Sequence, residues 1–308
     1  MLGGRRKFMK HSGILAGSLL AGLPGGKLWS WSRLGRPVGL QLFTLFGVIE
    51  QDVPGTLRKV ASIGYREIES AFSRLPGYYG MKPKEFAVLT KDSGLSWISH
   101  HVLGAPFVLP PNAKMPKGPD GKPMELPPMK NLRENGQELI DQAAEGGITY
   151  LVCAYTPTGS LDEIKRSIAT LQATGEACKK AGLSLCYHNH DFEFHEVEGQ
   201  RPYHMLLTEI SPDLMQMELD LAWVTKAGED PLELFRRHPG RFPLWHVKDI
   251  AKDLQTLEPA GSGIIDFPKI FAQADQAGMK HFFVEHDMPA DAFASISSSI
   301  HYLNGITR

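Results

Sequence analysis

Ala181-Gly182-Leu183-Ser184-Leu185-Cys186-Tyr187-His188-Asn189-His190 is the stretch on which the fold turns. A helical segment, Ser160–Ala181, runs into a glycine, and a strand begins at the next residue. Glycine supplies the left-handed backbone that stops a helix. Alternation along the strand then puts His188 and His190 on one face. The same small handover recurs at Ile63-Gly64-Tyr65 and Ala277-Gly278-Met279.

Working outward, eight stretches read as strands: 38–45, 66–70, 95–101, 149–154, 183–190, 214–221, 242–248 and 281–286. Helical patterns lie between them, over 55–63, 83–93, 132–145, 160–181, 231–238 and 267–277. Eight strand–helix units predict an α/β protein, a single-domain (β/α)8 TIM barrel over residues 37–308. A doubly wound open sheet is the runner-up, but no GxGxxG follows the first strand. Gly261-Ser262-Gly263 comes after the seventh strand and lacks that context.

One connection is abnormal. Residues 104–130 contain eight prolines, too many for a helix or a central strand. In a barrel this loop is expected at the C-terminal face, as a lid over the site. The N-terminus is also distinctive: the first 49 residues hold seven Lys/Arg and no acid. Arg5-Arg6-Lys7-Phe8-Met9-Lys10 precedes a weakly apolar run from Gly13 to Leu23. That layout resembles a twin-arginine export signal over residues 1–27 and predicts a periplasmic protein, with the cleavage point open. Without residues 1–27 the chain has 28 basic and 34 acidic residues, a net charge of −6. An acidic body argues against nucleic acid as the partner. No apolar run reaches the ~18 residues of a membrane span. Three cysteines without a CxxC pair exclude a disulfide scaffold and offer no structural zinc motif.

Taking the more polar parity of each strand as inward gives a consistent set. It comprises Gln41, Glu67, Glu69, Ser99, His101, His188, His190, Glu218, Asp220, His246, Lys248 and Glu285. Leu40, Ile68, Ile98, Leu219, Val247 and Val284 are then expected to face the helices. A barrel interior is normally filled by branched apolar side chains. Buried charges are costly unless they are paired or bind a metal. Asp220, His246 and Glu285 on consecutive strands therefore predict one divalent metal ion, Mn2+, Co2+, Zn2+ or Mg2+ rather than a thiolate-seeking metal.

With those residues in view, the chain from about Val38 onward resembles the xylose isomerase-like TIM-barrel superfamily, in its sugar phosphate isomerase/epimerase branch. The stretches that carry the resemblance are Tyr187–Phe194, Glu218-Leu219-Asp220, His246-Val247-Lys248-Asp249, Gly261–Phe267 and Val284-Glu285-His286-Asp287. The resemblance implies a metal held by Glu, Asp, His and Glu from strands five to eight. Here the last three map onto Asp220, His246 and Glu285, and the first falls on His188. Losing that glutamate argues against two-base epimerisation and resembles the inosose dehydratase branch. The Tyr-His-Asn-His stretch also looks like secreted relatives that process 3-keto-glycosides.

The expected chemistry is removal of a proton α to a ketone, the resulting enediolate being stabilised by the metal. Glu285 or a nearby histidine takes the proton, and His101, His188 or His190 serves the leaving or entering oxygen. Lys248 steadies developing charge; Gln41, Glu69, His101, His190 and Lys248 are the substrate-binding candidates. The implied partner is a small keto-sugar or keto-glycoside, and lyase or hydratase action stands ahead of isomerisation or epimerisation. A sugar-binding barrel without catalysis is a further alternative. A nuclease with a trinuclear zinc cluster is disfavoured, because Trp223 stands where that family has a His. Whether the protein is a homo-oligomer stays open.

Overall fold

A computed structural model describes residues 36–108 and 129–306. The expected export signal and residues 109–128 of the proline-rich loop lie outside the described residues. Eight strands form the barrel: β1 (Gly39–Gln41), β2 (Glu67–Ser70), β3 (Ser96–Leu103), β4 (Tyr150–Tyr155), β5 (Ser184–His188), β6 (Gln216–Asp220), β7 (Leu244–Val247) and β8 (His281–Val284). Each pairs in parallel with its sequence neighbours, and β8 closes onto β1, with helices between the strands. This is the expected (β/α)8 barrel.

Local chemistry sets the handovers. Ser160, Asp52 and Asp266 each accept a backbone N–H in the first turn of the helix that follows. Gly182 and Gly278 end their helical segments at φ +77° and +78°. At Gly278 no side chain fits either, since a Cβ would lie 2.8 Å from the Cα of Gly240. Leu40, Ile68, Leu219, Val247 and Val284 are buried against the helices, as their parity predicts. Inside the barrel, Val152, Cys186, Leu244 and Phe283 form a small apolar floor. The polar set stacks above it toward the C-terminal ends of the strands, except Glu67, which begins β2 and meets His281 at the start of β8, 2.8 Å away at the opposite end of the barrel.

Three expectations need correction. The first strand stops at Gln41 rather than Leu45, and Leu42–Leu45 coil into a 3-10 turn. Gln41 is the cause, because its side-chain oxygen accepts the Phe43 N–H at 3.0 Å. The helix expected over 267–277 is two short pieces, Phe267–Phe271 and Ala274–Ala277. Ile98 packs on the apolar floor, not on the helices. Ile68 pairs with Trp97 but Glu69 pairs with Ser99, so Ile98 is an extra residue in a bulge that shifts the parity of β3.

After β7 the chain forms a short antiparallel ribbon, Asp249–Ile250 with Leu257–Glu258. The buried Asp249 carboxylate accepts the N–H groups of Ile250, Gly261, Gly263 and Ile265. That hub fixes the loop beside Lys248. Among the described residues no helix is long and apolar enough to cross a membrane.

Candidate active site

The site grows from the strand ends. Asp220 closes β6 and caps the next helix, its Oδ1 accepting the Trp223 N–H at 2.9 Å. The Asp220 N–H in turn donates to Asn189 Oδ1 at 3.1 Å. With Oδ1 engaged, Oδ2 is left without a hydrogen-bond partner in a fully buried residue. His188, Asp220, His246 and Glu285 each offer one donor atom, all within 4.8 Å of one another. His246 Nδ1 lies 2.7 Å from Glu285 Oε2 and 3.7 Å from Asp220 Oδ2, and His188 Nε2 lies 3.5 Å from that same Oδ2.

The other edge of the His246 ring meets a second group. Its Nε2 is 2.7 Å from Glu69 Oε1 and 3.3 Å from Glu218 Oε2. His101 Nε2 bonds Glu218 Oε2 at 2.6 Å and lies 3.0 Å from Glu69 Oε1. Gln41 Nε2 donates to the same Glu69 oxygen at 2.7 Å. Glu69, His101, Glu218 and His246 thus form a closed square beneath the first group, sharing one imidazole. On the open side, Lys248 Nζ sits 2.7 Å from Glu285, 3.2 Å from Asp220 and 2.9 Å from Asp287.

Electrostatics follow from this packing. Burial works against charge on His101, but Glu69 and Glu218 overcome it and raise its pKa to about 9. Burial, with Glu69 beside it, pushes the Glu218 carboxyl up to about 7. Despite burial, Glu285 is held well below the usual carboxylate range by Lys248 and His246. His188 moves the other way, because burial and the neighbouring His246 and His101 hold it neutral.

These residues fit a divalent cation. Both nitrogens of buried His188 and the Oδ2 of Asp220 have no hydrogen-bond partner. An uncharged imidazole keeps the lone pair that a metal requires. Four buried carboxylates (Glu69, Glu218, Asp220 and Glu285) face three groups able to carry positive charge, His101, His246 and Lys248. A buried negative excess is relieved by a cation. Two imidazoles and two carboxylates suit Mn2+, Co2+, Zn2+ or Mg2+.

The structure brings the sequence-derived candidates together, with different engagements. His188, Asp220, His246, Glu285 and Lys248 form one contiguous buried group. Gln41, Glu69 and His101 form a neighbouring group, whose polar ends bond through Glu69 to one another and to His246. His190 stands at the mouth, its side chain 31% exposed. Sequence reading passed over Glu193, whose buried carboxylate accepts the Tyr187 hydroxyl at 2.9 Å and the His190 N–H at 2.8 Å. The available signal was a carboxylate set between Phe192 and Phe194. Asn189 and Asp287 were likewise quoted only as parts of motifs.

Comparison with known proteins agrees with this fold. The sequence profile of the xylose isomerase-like TIM barrel matches residues 57–304. The inosose dehydratase of Geobacillus thermodenitrificans (strain NG80-2) is 24% identical over 145 residues, 42% of this chain. That match spans 48%, about half, of the relative's length. A sugar phosphate isomerase/epimerase from Parabacteroides distasonis ATCC 8503 superposes with a TM-score of 0.70 at 27% identity, covering 88% of this chain and 95% of that one. A xylose isomerase-like TIM barrel protein from Mycobacterium smegmatis, solved with magnesium, has a TM-score of 0.63 at 14% identity, covering 90% of this chain and 98% of that one. At that identity the likeness concerns the fold alone.

Proposed function

The chain belongs to the xylose isomerase-like TIM barrel family, and within it we propose a divalent-metal-dependent enzyme that adds or eliminates water on a keto-sugar or keto-glycoside. The observation that carries this reading is the group His188, Asp220, His246 and Glu285, in which Glu285 is the one carboxylate not engaged in a helix cap. Asp220 spends Oδ1 on its helix cap, which leaves Oδ2 as the atom offered to the cation. Relatives named as a dehydratase and as an isomerase/epimerase support enzymatic action of this general kind.

A cation held by the four residues supplies Lewis-acid polarisation of the ketone and a neighbouring hydroxyl. The rest falls to the chain itself. Glu285 contacts His246 and Lys248 through Oε2, which leaves Oε1 to take the α-proton. Lys248, held by Asp287, keeps positive charge beside the carbon that becomes electron-rich. His190 gives a proton to the departing β-oxygen, because His101 is enclosed by Glu69 and Glu218. Hydration is the same path reversed. Epimerisation is the second reading, and in it His188 would have to act as the second base. The protein is further proposed to act in the periplasm after export through residues 1–27, with residues 104–130 closing over the substrate.

Proton exchange in D2O tests the reaction. With a keto-sugar or methyl keto-glycoside, the wild type should exchange the proton α to the ketone, and Glu285→Gln should stop it. His188→Glu should cost elimination more than exchange. A product of unchanged mass, inverted at one carbon, would establish epimerisation instead. Absence of exchange across the panel would favour a binding protein.

A further inference from the structure

A row of rings leads away from the metal-ligand candidates. His188 and His190 are 5.0 Å apart, and His190 stacks on Phe192 at 5.3 Å with 16° between the planes. Phe192 lies 6.2 Å from Tyr155, and Tyr155 lies 5.4 Å from Phe107. Every step falls in the ~4.5–7 Å range of contacting aromatic rings. The row comes from three different connections: Phe107 follows β3, Tyr155 ends β4, and Phe192 follows β5. All three are on the C-terminal side of the barrel. Phe107 is 40% exposed, one of few large apolar side chains so open to water among the described residues. The Tyr155 hydroxyl donates to the Val108 carbonyl at 3.3 Å and so fixes the outer end of the row.

A single sugar ring held at His188 and Glu285 spans about one such step. It reaches His190 but leaves Tyr155 and Phe107 without a role. On the other side of His190, 6.0 Å away, stands Trp223, whose Nε1 is buried and has no hydrogen-bond partner. An indole N–H that is buried normally finds an acceptor. Partly exposed rings with an unmatched donor beside them are the surface that a second ring of a ligand requires.

Resting on the reading of the site as a keto-sugar enzyme, we propose that Phe192, Tyr155 and Phe107 form a subsite for a second ring joined to the reacting sugar. Trp223 Nε1 donates to an oxygen near the linkage. The preferred substrate is therefore a glycoside carrying a glycosyl or aryl group rather than a free keto-sugar. Both groups present what the rings recognise, a flat face of C–H bonds or π-electrons.

Three keto-glycosides that share the reacting sugar separate the possibilities: methyl, p-nitrophenyl and disaccharide. The wild type should favour at least one ring-bearing compound over the methyl compound in kcat/KM by on the order of tenfold. Phe107→Ala and Tyr155→Ala should each shrink that ratio, and Phe107→Trp should restore it. A wild-type ratio near one, or a ratio that the alanine variants leave intact, overturns the subsite. Whether the p-nitrophenyl or the disaccharide arm leads tells an aryl from a glycosyl occupant. If none of the three reacts, the proposed reaction fails by itself. Calorimetric binding of the same compounds to wild type and Phe107→Ala then decides the subsite, and equal affinities would refute it.

Discussion

Replacing Glu69 by glutamine tests whether the lower square orients the metal-ligand imidazole. Glu69 Oε1 receives Gln41 at 2.7 Å and faces His246 at 2.7 Å and His101 at 3.0 Å, while its Oε2 is buried without a partner. A hydrogen bond to a charged group contributes about 1.5–3 kcal/mol and a neutral one about 0.5–1.5 kcal/mol. Losing the charge therefore weakens the hold on His246 Nε2 by about 1 kcal/mol. The new amide nitrogen lands where no acceptor waits, which adds a desolvation cost of about 1–3 kcal/mol to the fold. Removing a carboxylate that orients a ligand histidine typically costs 10–100-fold in metal affinity, on the order of 1.4–2.8 kcal/mol. Glu69→Gln should fall near the low end, and Glu69→Leu, which keeps no acceptor, near the high end. Titration calorimetry with Mn2+ on metal-stripped protein gives the affinities, with circular dichroism as the check on folding. Wild-type affinity in folded Glu69→Leu would show that His246 is positioned without Glu69.

Four further outcomes are expected. Asp220→Ala should abolish metal binding while the barrel stays folded, and stoichiometric metal retained by that variant would remove Asp220 from the ligand set. For the metal-free protein, His101 has a folded pKa of about 9 against an ordinary 6.5. Its stabilisation is complete below pH 6.5 and lost as the pH rises through 9, on the order of 3 kcal/mol, so urea midpoints should fall across that window and a flat profile would refute the assignment. Tyr187→Phe removes the hydroxyl that Glu193 Oε1 accepts at 2.9 Å, and should lower stability by about 1–3 kcal/mol in a denaturant titration, whereas no change would mean water replaces it. Arg5→Lys with Arg6→Lys should hold the protein in the cytoplasm on fractionation, and an undiminished periplasmic yield would exclude the twin-arginine route.

The parts of the molecule readable from sequence are those governed by a local rule. Glycine after a helix marks Gly64, Gly182 and Gly278 because positive φ is a one-residue property, and all three adopt it. Strand alternation places Glu218, Asp220, His246 and Glu285 on the inner face because pleating has a fixed period. Where an extra residue enters β3, the same rule misplaces Ile98, since nothing in Ser96–Leu103 advertises a bulge. Apolar Leu42–Leu45 reads equally well as strand or buried turn, and only the Gln41 side chain decides between them. Alternation also names faces but not partners. That His246 would touch Glu69 from 177 residues away, and that His101 would be enclosed by Glu218, are properties of the closed barrel alone.

Gly39 gives the seam between the first and last strands its own proofreading. It pairs with Phe283 across that seam, and a Cβ there would fall 2.5 Å from the phenyl ring. If β1 slipped by one residue, Val38 or Leu40 would meet Phe283 and Gln41 would turn out of the barrel, away from Glu69. A slip of two in one direction would keep the parity but drive Gln41 itself into the ring. Those mispaired closures meet a steric block at the Phe283 ring. The register that seats Gly39 on Phe283 is the one that turns Gln41 toward Glu69, so fidelity at this seam rests on a missing methyl group.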